Sequence, residues 1–258
     1  MASRFRRREQ VWLALAASCA MLPAARGEDV PTCPGGSNSV RLVTGAPYSG
    51  LGTSQTTFTL PDGRRVVRQN LIRQWRDSDG RTRSEISLSA VGGIPEVEFN
   101  TTVTVIDDPT TRERYVMQGG EKVAVTVPIV PCRDTNSREP ELIGPPRPAN
   151  LPIKVSQPVT LGERKLEGET VAGRRIEATI PAGAMGNSKP INMSAEQWYG
   201  KDLQVVVEAT YKDPRTGETT YRLRDIDRAE PDASLFRVPN NYSRKPPPGP
   251  SRGVRPRR

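Results

Sequence analysis

A chain of 258 residues without a single histidine excludes the Ser-His-Asp and Cys-His catalytic sets and the histidine-ligated zinc hydrolases. Its formal charge of +9 points toward a polyanion partner, but the excess sits at the two ends: residues 1–27 carry five basic side chains and one acid, and residues 244–258 carry six basic side chains and no acid. Residues 28–243 are within one charge of neutral, so a nucleic-acid partner is not expected, since such domains concentrate positive charge on a folded face.

The chain opens as an export leader. Arg4, Arg6, Arg7 and Arg8 precede an apolar run over 11–22, and Ala25 and Gly27 supply the small residues of a cleavage site after about Gly27. That run is shorter than the roughly 20 residues a spanning helix needs, and no other stretch is apolar enough, so no transmembrane span is expected. Cys19 ends a weak lipobox, "AASC", with Ala16 where a larger aliphatic residue is usual; cleavage is favoured over lipid attachment. The mature protein is therefore expected in the periplasm or outside the cell. Without the leader two cysteines remain, Cys33 and Cys132, and an even pair in an exported chain reads as a disulfide.

Residues 28–52 are rich in Gly, Pro and Ser and read as an extended lead-in. From Thr53 short runs rich in Val, Ile, Thr and Tyr alternate with turn signals such as "PDGR", "RDSDGR" and "QGGE", the pattern of an all-β domain with little helix. Prolines crowd 131–158, which reads as a loop interrupting that domain, because proline cannot donate to a sheet ladder. Strands resume and continue to about 243. In "LQVVVEATYK" the residues Leu203, Val205, Val207, Ala209 and Tyr211 alternate with more polar neighbours, as in an antiparallel sheet with one covered face. "EPDASLF" reads as one helical turn capped by Asp232, and 244–258 as a disordered basic, proline-rich tail. With 34% hydrophobic and 5% aromatic residues the core is thin, which suits a curved antiparallel sheet or half-barrel better than a thick sandwich.

Three stretches imitate binding motifs. "RDSDGRTRSE" starts like a calcium loop, but Arg81 and Leu88 stand where oxygen ligands belong, so a hairpin turn is expected. "PAGAMGNSKP" lacks the Gly-Lys-Ser/Thr order of a phosphate loop. "TYKDPRTGETTYRL" repeats the plan of "VIDDPTTRERYVM": strand, Asp-Pro, threonine-bearing turn, Tyr-led strand. Two such punctuation marks argue for hairpins, with Asp213 and Asp108 bonding their own following backbone. No cofactor, metal site or catalytic set is expected, and the chain reads as a binding protein and not an enzyme.

The stretches "IPAGAMGNSKPI", "WYGKDLQVVV", "KDPRTGETTYRLRDI" and "EPDASLFRVPNNY" resemble a group of exported β-rich proteins of Gram-negative bacteria with no assigned activity. The likeness is strongest over 169–242 and weaker over 53–127. More distantly, the run of strands, the late Trp-bearing strand and the closing "LFRVP" are similar to the LolA-like half-barrel superfamily of lipid and lipoprotein carriers and envelope-stress sensors. That resemblance implies a strongly curved antiparallel sheet with an apolar concave face. This chain departs from the carriers in lacking a long amphipathic helix to cover that face.

The expectation is an exported envelope protein that binds an apolar, lipid-like ligand or another envelope protein on a curved sheet. Trp75, Trp198, Tyr199, Val205, Val207, Tyr211 and Tyr221 are the candidate lining residues. The alternative is a scaffold protein without a pocket, held to envelope components by electrostatic contact of its tail with anionic surfaces.

Overall fold

The computed structural model describes residues 38–60, 62–88, 101–132 and 151–247. The expected leader, Cys19, Cys33, most of the proline-rich loop and the tail beyond Pro247 lie outside them. Within the described residues the chain forms β1 (Ser39–Arg41), β2 (Tyr48–Thr59), β3 (Arg65–Arg76), β4 (Thr82–Leu88), β5 (Thr101–Asp108), β6 (Glu113–Gln118), β7 (Val123–Pro128) and β8 (Val130–Cys132). The second half adds β9 (Lys154–Val155), β10 (Val159–Leu166), β11 (Glu169–Ile180), β12 (Ile191–Gly200), β13 (Val205–Asp213), β14 (Gly217–Asp227), a 3-10 turn (Ala233–Phe236) and β15 (Ser243–Lys245).

Two antiparallel meanders, β2 to β7 and β10 to β14, share one open, curved sheet. They meet where β14 pairs with β2, so the seam joins the start of one meander to the end of the other. The links β2–β3, β3–β4, β5–β6, β6–β7, β10–β11 and β13–β14 are short turns, as the turn signals required. Asp108 accepts the backbone N–H of Thr110 at 2.8 Å, and Asp213 that of Arg215 at 2.9 Å, so the repeated Asp-Pro stretches are matching turns. The calcium-like stretch is also a turn: Gly80 has φ +85°, and Asp77 takes its hydrogen bonds from the backbone and guanidinium of Arg81 at 2.8 and 2.5 Å. "PAGAMGNSKP" is the loop between β11 and β12.

Four boundaries differ from the sequence reading; the first is the proline-rich loop 131–158, whose described ends hold the end of β8 and all of β9, which pairs with β11. β2 begins five positions before Thr53, and β1 inside the lead-in pairs in parallel with β8, forming a small second sheet. At the other end Arg244 and Lys245 belong to β15, which pairs in parallel with the edge strand β7. Arg244 also stacks over the Tyr115 ring at 5.0 Å. Polar composition hid β1 and β15, whose hydrogen bonds come from a partner far along the chain.

Among the described residues the core forms four small apolar clusters, two of them linked through Val205 and Ile226, as a composition poor in large apolar residues demands. The C-terminal segment builds the first: its 3-10 turn, capped by Asp232 at 2.7 Å to Ser234 N, lays Phe236 and Val238 on Ile106, Tyr115, Met117 and Ala124. A fully buried side chain of Phe or Ile size contributes about 1.5–3 kcal/mol, enough to hold the segment against the sheet. Trp75 packs on the same cluster.

Candidate functional site

The two faces of the sheet follow from the register. Ala195 pairs with Tyr211 and Tyr211 with Thr219; Gln197 pairs with Ala209, Ala209 with Tyr221, and Tyr221 with Ser54. Cross-strand partners point to the same side, and these residues, with Ile72, line a pocket of about 280 Å³. Gly52 makes room for it, since a Cβ there would stand 2.9 Å from the Tyr221 ring. Beyond Ile72 the same side of the sheet continues through Ile86 and Val103, with Val105, Val116 and Val125 in a parallel row. All six aliphatics are half-buried, so an apolar strip continues along this face from Ile72.

The side chains of Tyr211, Gln74 and Tyr221 beside this pocket already hold hydrogen bonds. The Tyr211 hydroxyl donates to Asp213 Oδ2 at 2.9 Å, and burial together with that bond raises its pKa to about 12. Gln74 bridges two tyrosines, accepting from Tyr48 at 3.1 Å and donating to the Tyr221 hydroxyl at 3.0 Å. Burial, followed by the nearby Tyr48, also pushes the Tyr221 phenol upward. Both pocket tyrosines therefore stay neutral and offer ring faces to a ligand. Asp213 is 3% exposed. Burial pushes its pKa up, but hydrogen bonds from Arg215 and Tyr211 outweigh that and hold the carboxyl below the usual range.

One end of this face is fixed by Arg76, which is 5% exposed. Its guanidinium donates to Ala46 O at 2.9 and 2.7 Å and to Leu203 O, and stacks over Tyr48 at 4.8 Å. Burial lowers its pKa, yet an arginine starts so high that it stays charged. It ties the segment before β2 to the turn before β13.

Of the seven expected lining residues, Tyr211 and Tyr221 line the pocket. Tyr199 faces the same side, paired with Ala172 and Val206, and is buried beneath Arg41, whose guanidinium is 5.7 Å from its ring. Trp198, Val205 and Val207 pack on the opposite side with Val171, and Trp75 lies on that side in the Phe236 cluster. The cause of the split is a β-bulge. Trp198 pairs with Glu208 but Tyr199 pairs with Val206, which leaves Val207 as the extra residue. The alternation expected from Leu203 to Tyr211 therefore breaks: Val205 and Val207 go to the back, Ala209 and Tyr211 to the pocket. Sequence reading missed Ala195, Gln197, Ser54, Ile72 and Thr219 as lining residues: four are small or polar and carry no local signal, and Ile72 sits in a strand whose pattern does not say which face meets the pocket.

A second concavity, of about 740 Å³, lies beside the turn 213–217 and is lined by polar residues including Arg65, Lys212, Asn192 and Thr220. Among the described residues no group of three or more Cys, Asp or Glu side chains is arranged to hold a metal, and no helix is long and apolar enough to cross a membrane.

No family model matches this chain, and no curated protein sequence matches it. Solved structures do. The chain is similar to MucB at 10% identity and TM-score 0.33, covering 76% of this chain and 58% of that one. It is similar to the MucA/MucB complex structure of Pseudomonas aeruginosa at 11% identity and TM-score 0.34, covering 75% of this chain and 56% of that one. It is also similar to a LolA superfamily protein from Nitrosomonas europaea at 9% identity and TM-score 0.29, covering 77% of this chain and 92% of that one. This chain thus spans under three fifths of the MucB chains it matches. A distant likeness to LolA-like proteins is present, as the sequence suggested; at these TM-scores it transfers no residue and no ligand.

Proposed function

We propose that this is an exported envelope protein that acts by binding, and that it holds the apolar part of a lipid-like ligand in the pocket between β12, β13, β14 and β3. The observation that carries the reading is the composition of the pocket wall. Ala195, Ala209, Ile72 and two tyrosines make up the apolar part of a wall around about 280 Å³, and the aliphatic strip continues from Ile72 on the same face. Small-molecule sites run from roughly 300 Å³ upward, so the pocket takes one chain or ring system, with the rest of the ligand lying along the aliphatic strip. The bound group is apolar because the Tyr211 hydroxyl and the Gln74–Tyr221 bond are engaged within the protein, and a polar ligand would have to displace those bonds.

Native mass spectrometry of protein purified without detergent tests this. A co-purifying apolar adduct is expected, and Ala209→Trp, which fills the pocket, should abolish it while leaving the fold intact. A wild-type protein that neither carries nor takes up a lipid would overturn the reading and favour a protein partner or the tail-tethered scaffold.

A further inference from the structure

The back of the sheet's centre carries a pattern the pocket does not use. Along β3 the side chains facing away from the pocket are Arg65, Val67, Gln69, Leu71 and Arg73. Arg73 stands beside Leu51, and Leu51 beside Arg224; Leu71 stands beside Thr53, and Thr53 beside Arg222. The C-terminal segment covers only the β4 to β7 side, so this strip is open: Val67 is 42% and Leu71 39% exposed, and all four arginines are exposed. Single exposed aliphatics need no explanation, but here two share one row between cations.

The charge on this strip is unbalanced. Glu85, the cross-strand neighbour of Arg73, gives its carboxylate to Arg83 at 2.6 Å. Glu208 is taken by Arg164 at 2.6 Å and Arg222 at 3.2 Å, and Glu218 by Lys212 at 3.5 Å. Among the described residues Arg65, Arg73 and Arg224 have no carboxylate partner within ion-pair distance. The 740 Å³ polar groove lies at the Arg65 end of the strip.

We propose that this back face is a docking surface for an anionic lipid bilayer. The unpaired guanidinium groups meet headgroup phosphates, Val67 and Leu71 enter the headgroup layer, and the groove takes one headgroup against Arg65 and Lys212. Arginine presents a planar fork that fits phosphate oxygens. A nucleic acid fits less well, because the exposed row from Val67 to Arg73 offers no aromatic side chain for a base to stack on, and its aliphatics gain nothing from a phosphate backbone. The surface works independently of the pocket, which lies on the other side of the sheet.

The test is sedimentation of the full chain with vesicles of phosphatidylcholine alone or mixed with phosphatidylglycerol. Binding is expected only to the mixed vesicles and should weaken with salt. Arg65→Gln/Arg73→Gln/Arg224→Gln should weaken it on the order of 100-fold, each cation near such a surface contributing about a factor of five. Its thermal melt and its pocket adduct should be unchanged, which separates this test from that of the pocket. Leu71→Ser should weaken vesicle binding without changing its salt dependence. Wild-type protein that ignores the mixed vesicles would overturn the proposal. So would a triple variant that binds like wild type, which would assign the attraction to the basic tail. Equal binding to duplex DNA, insensitive to Leu71→Ser, would overturn it in favour of a general polyanion site.

Discussion

Replacing Asp213 by alanine removes the centre of a small buried network. The carboxylate accepts the Arg215 backbone N–H at 2.9 Å, the Arg215 guanidinium at 3.0 and 2.7 Å, and the Tyr211 hydroxyl at 2.9 Å. Losing a side chain that caps a turn in this way costs about 0.5–2 kcal/mol, and a hydrogen bond to a charged group contributes about 1.5–3 kcal/mol. The ion pair counts for less, because the Arg215 side chain is 27% exposed and water can replace its partner. The expected net loss is about 2 kcal/mol, or a fall in Tm of about 4–8 °C for a domain of this size. Asp213→Asn keeps an acceptor for the turn but loses the charge, and should cost about half as much. Because the folded protein holds this carboxyl below its usual range, its contribution is fully present above the unfolded pKa of about 3.9 and is lost as pH falls through the lower folded value. Urea and thermal unfolding followed by circular dichroism at pH 7 and pH 3 give both quantities. A Tm for Asp213→Ala equal to wild type at pH 7, or the same deficit persisting at pH 3, would refute this account. The sequence placed this turn away from any ligand. The structure ties it to Tyr211, so Asp213→Ala should also reduce retention of the pocket adduct.

Two further substitutions and one redox measurement probe the fold. Gly217 has φ +94°, and a Cβ there would lie 2.1 Å from Thr57 O, so Gly217→Ala should cost more than 3 kcal/mol on the order of a severe core lesion and be seen as loss of soluble, folded protein. A Cβ at Gly173 would lie 2.5–2.7 Å from the Trp198 ring, so Gly173→Ala should displace the indole from beneath Arg164 and red-shift tryptophan emission. Cys132 is fully buried; pairing with Cys33 would appear as a mass about 2 Da below the reduced chain, and reduction should cost about 4–5 kcal/mol by loop entropy.

Much of this fold is legible in the residues. The turn chemistry of "DDPTT" and "DPRTG" acts within a few residues, so the hairpins could be read locally, as could the Asp232 cap. The all-β class followed from strand composition and the scarcity of helical periodicity. What could not be read depends on partners distant in sequence. Val205 and Val207 look like neighbours of Ala209 and Tyr211 until the bulge against Trp198 and Tyr199 sends them to the other side. Trp75 and Trp198 looked like ligand-lining residues because they are large and aromatic. The same property makes them core residues once Phe236 and Val171 arrive from elsewhere. The pocket itself is marked by alanines, which have no signature beyond their small size, and Gly52 becomes informative only beside Tyr221.

The pairing of β14 with β2 has a consequence for synthesis. Thr56 and Thr219, hydrogen-bonded across this seam at 2.9 Å, are 163 positions apart. Each hairpin can zip up from local contacts, but the seam must wait for nearly the whole chain, and such long-range closure is slow. Until then β2 is a bare edge with a full row of unsatisfied N–H and C=O groups, beside the exposed Val67 and Leu71 of β3. The nascent protein is therefore most vulnerable to aggregation and proteolysis in its last moments of emergence. A chain truncated before Gly217 would keep the turn signals of its earlier hairpins and still fail quality control, because the strand that seals β2 would be missing.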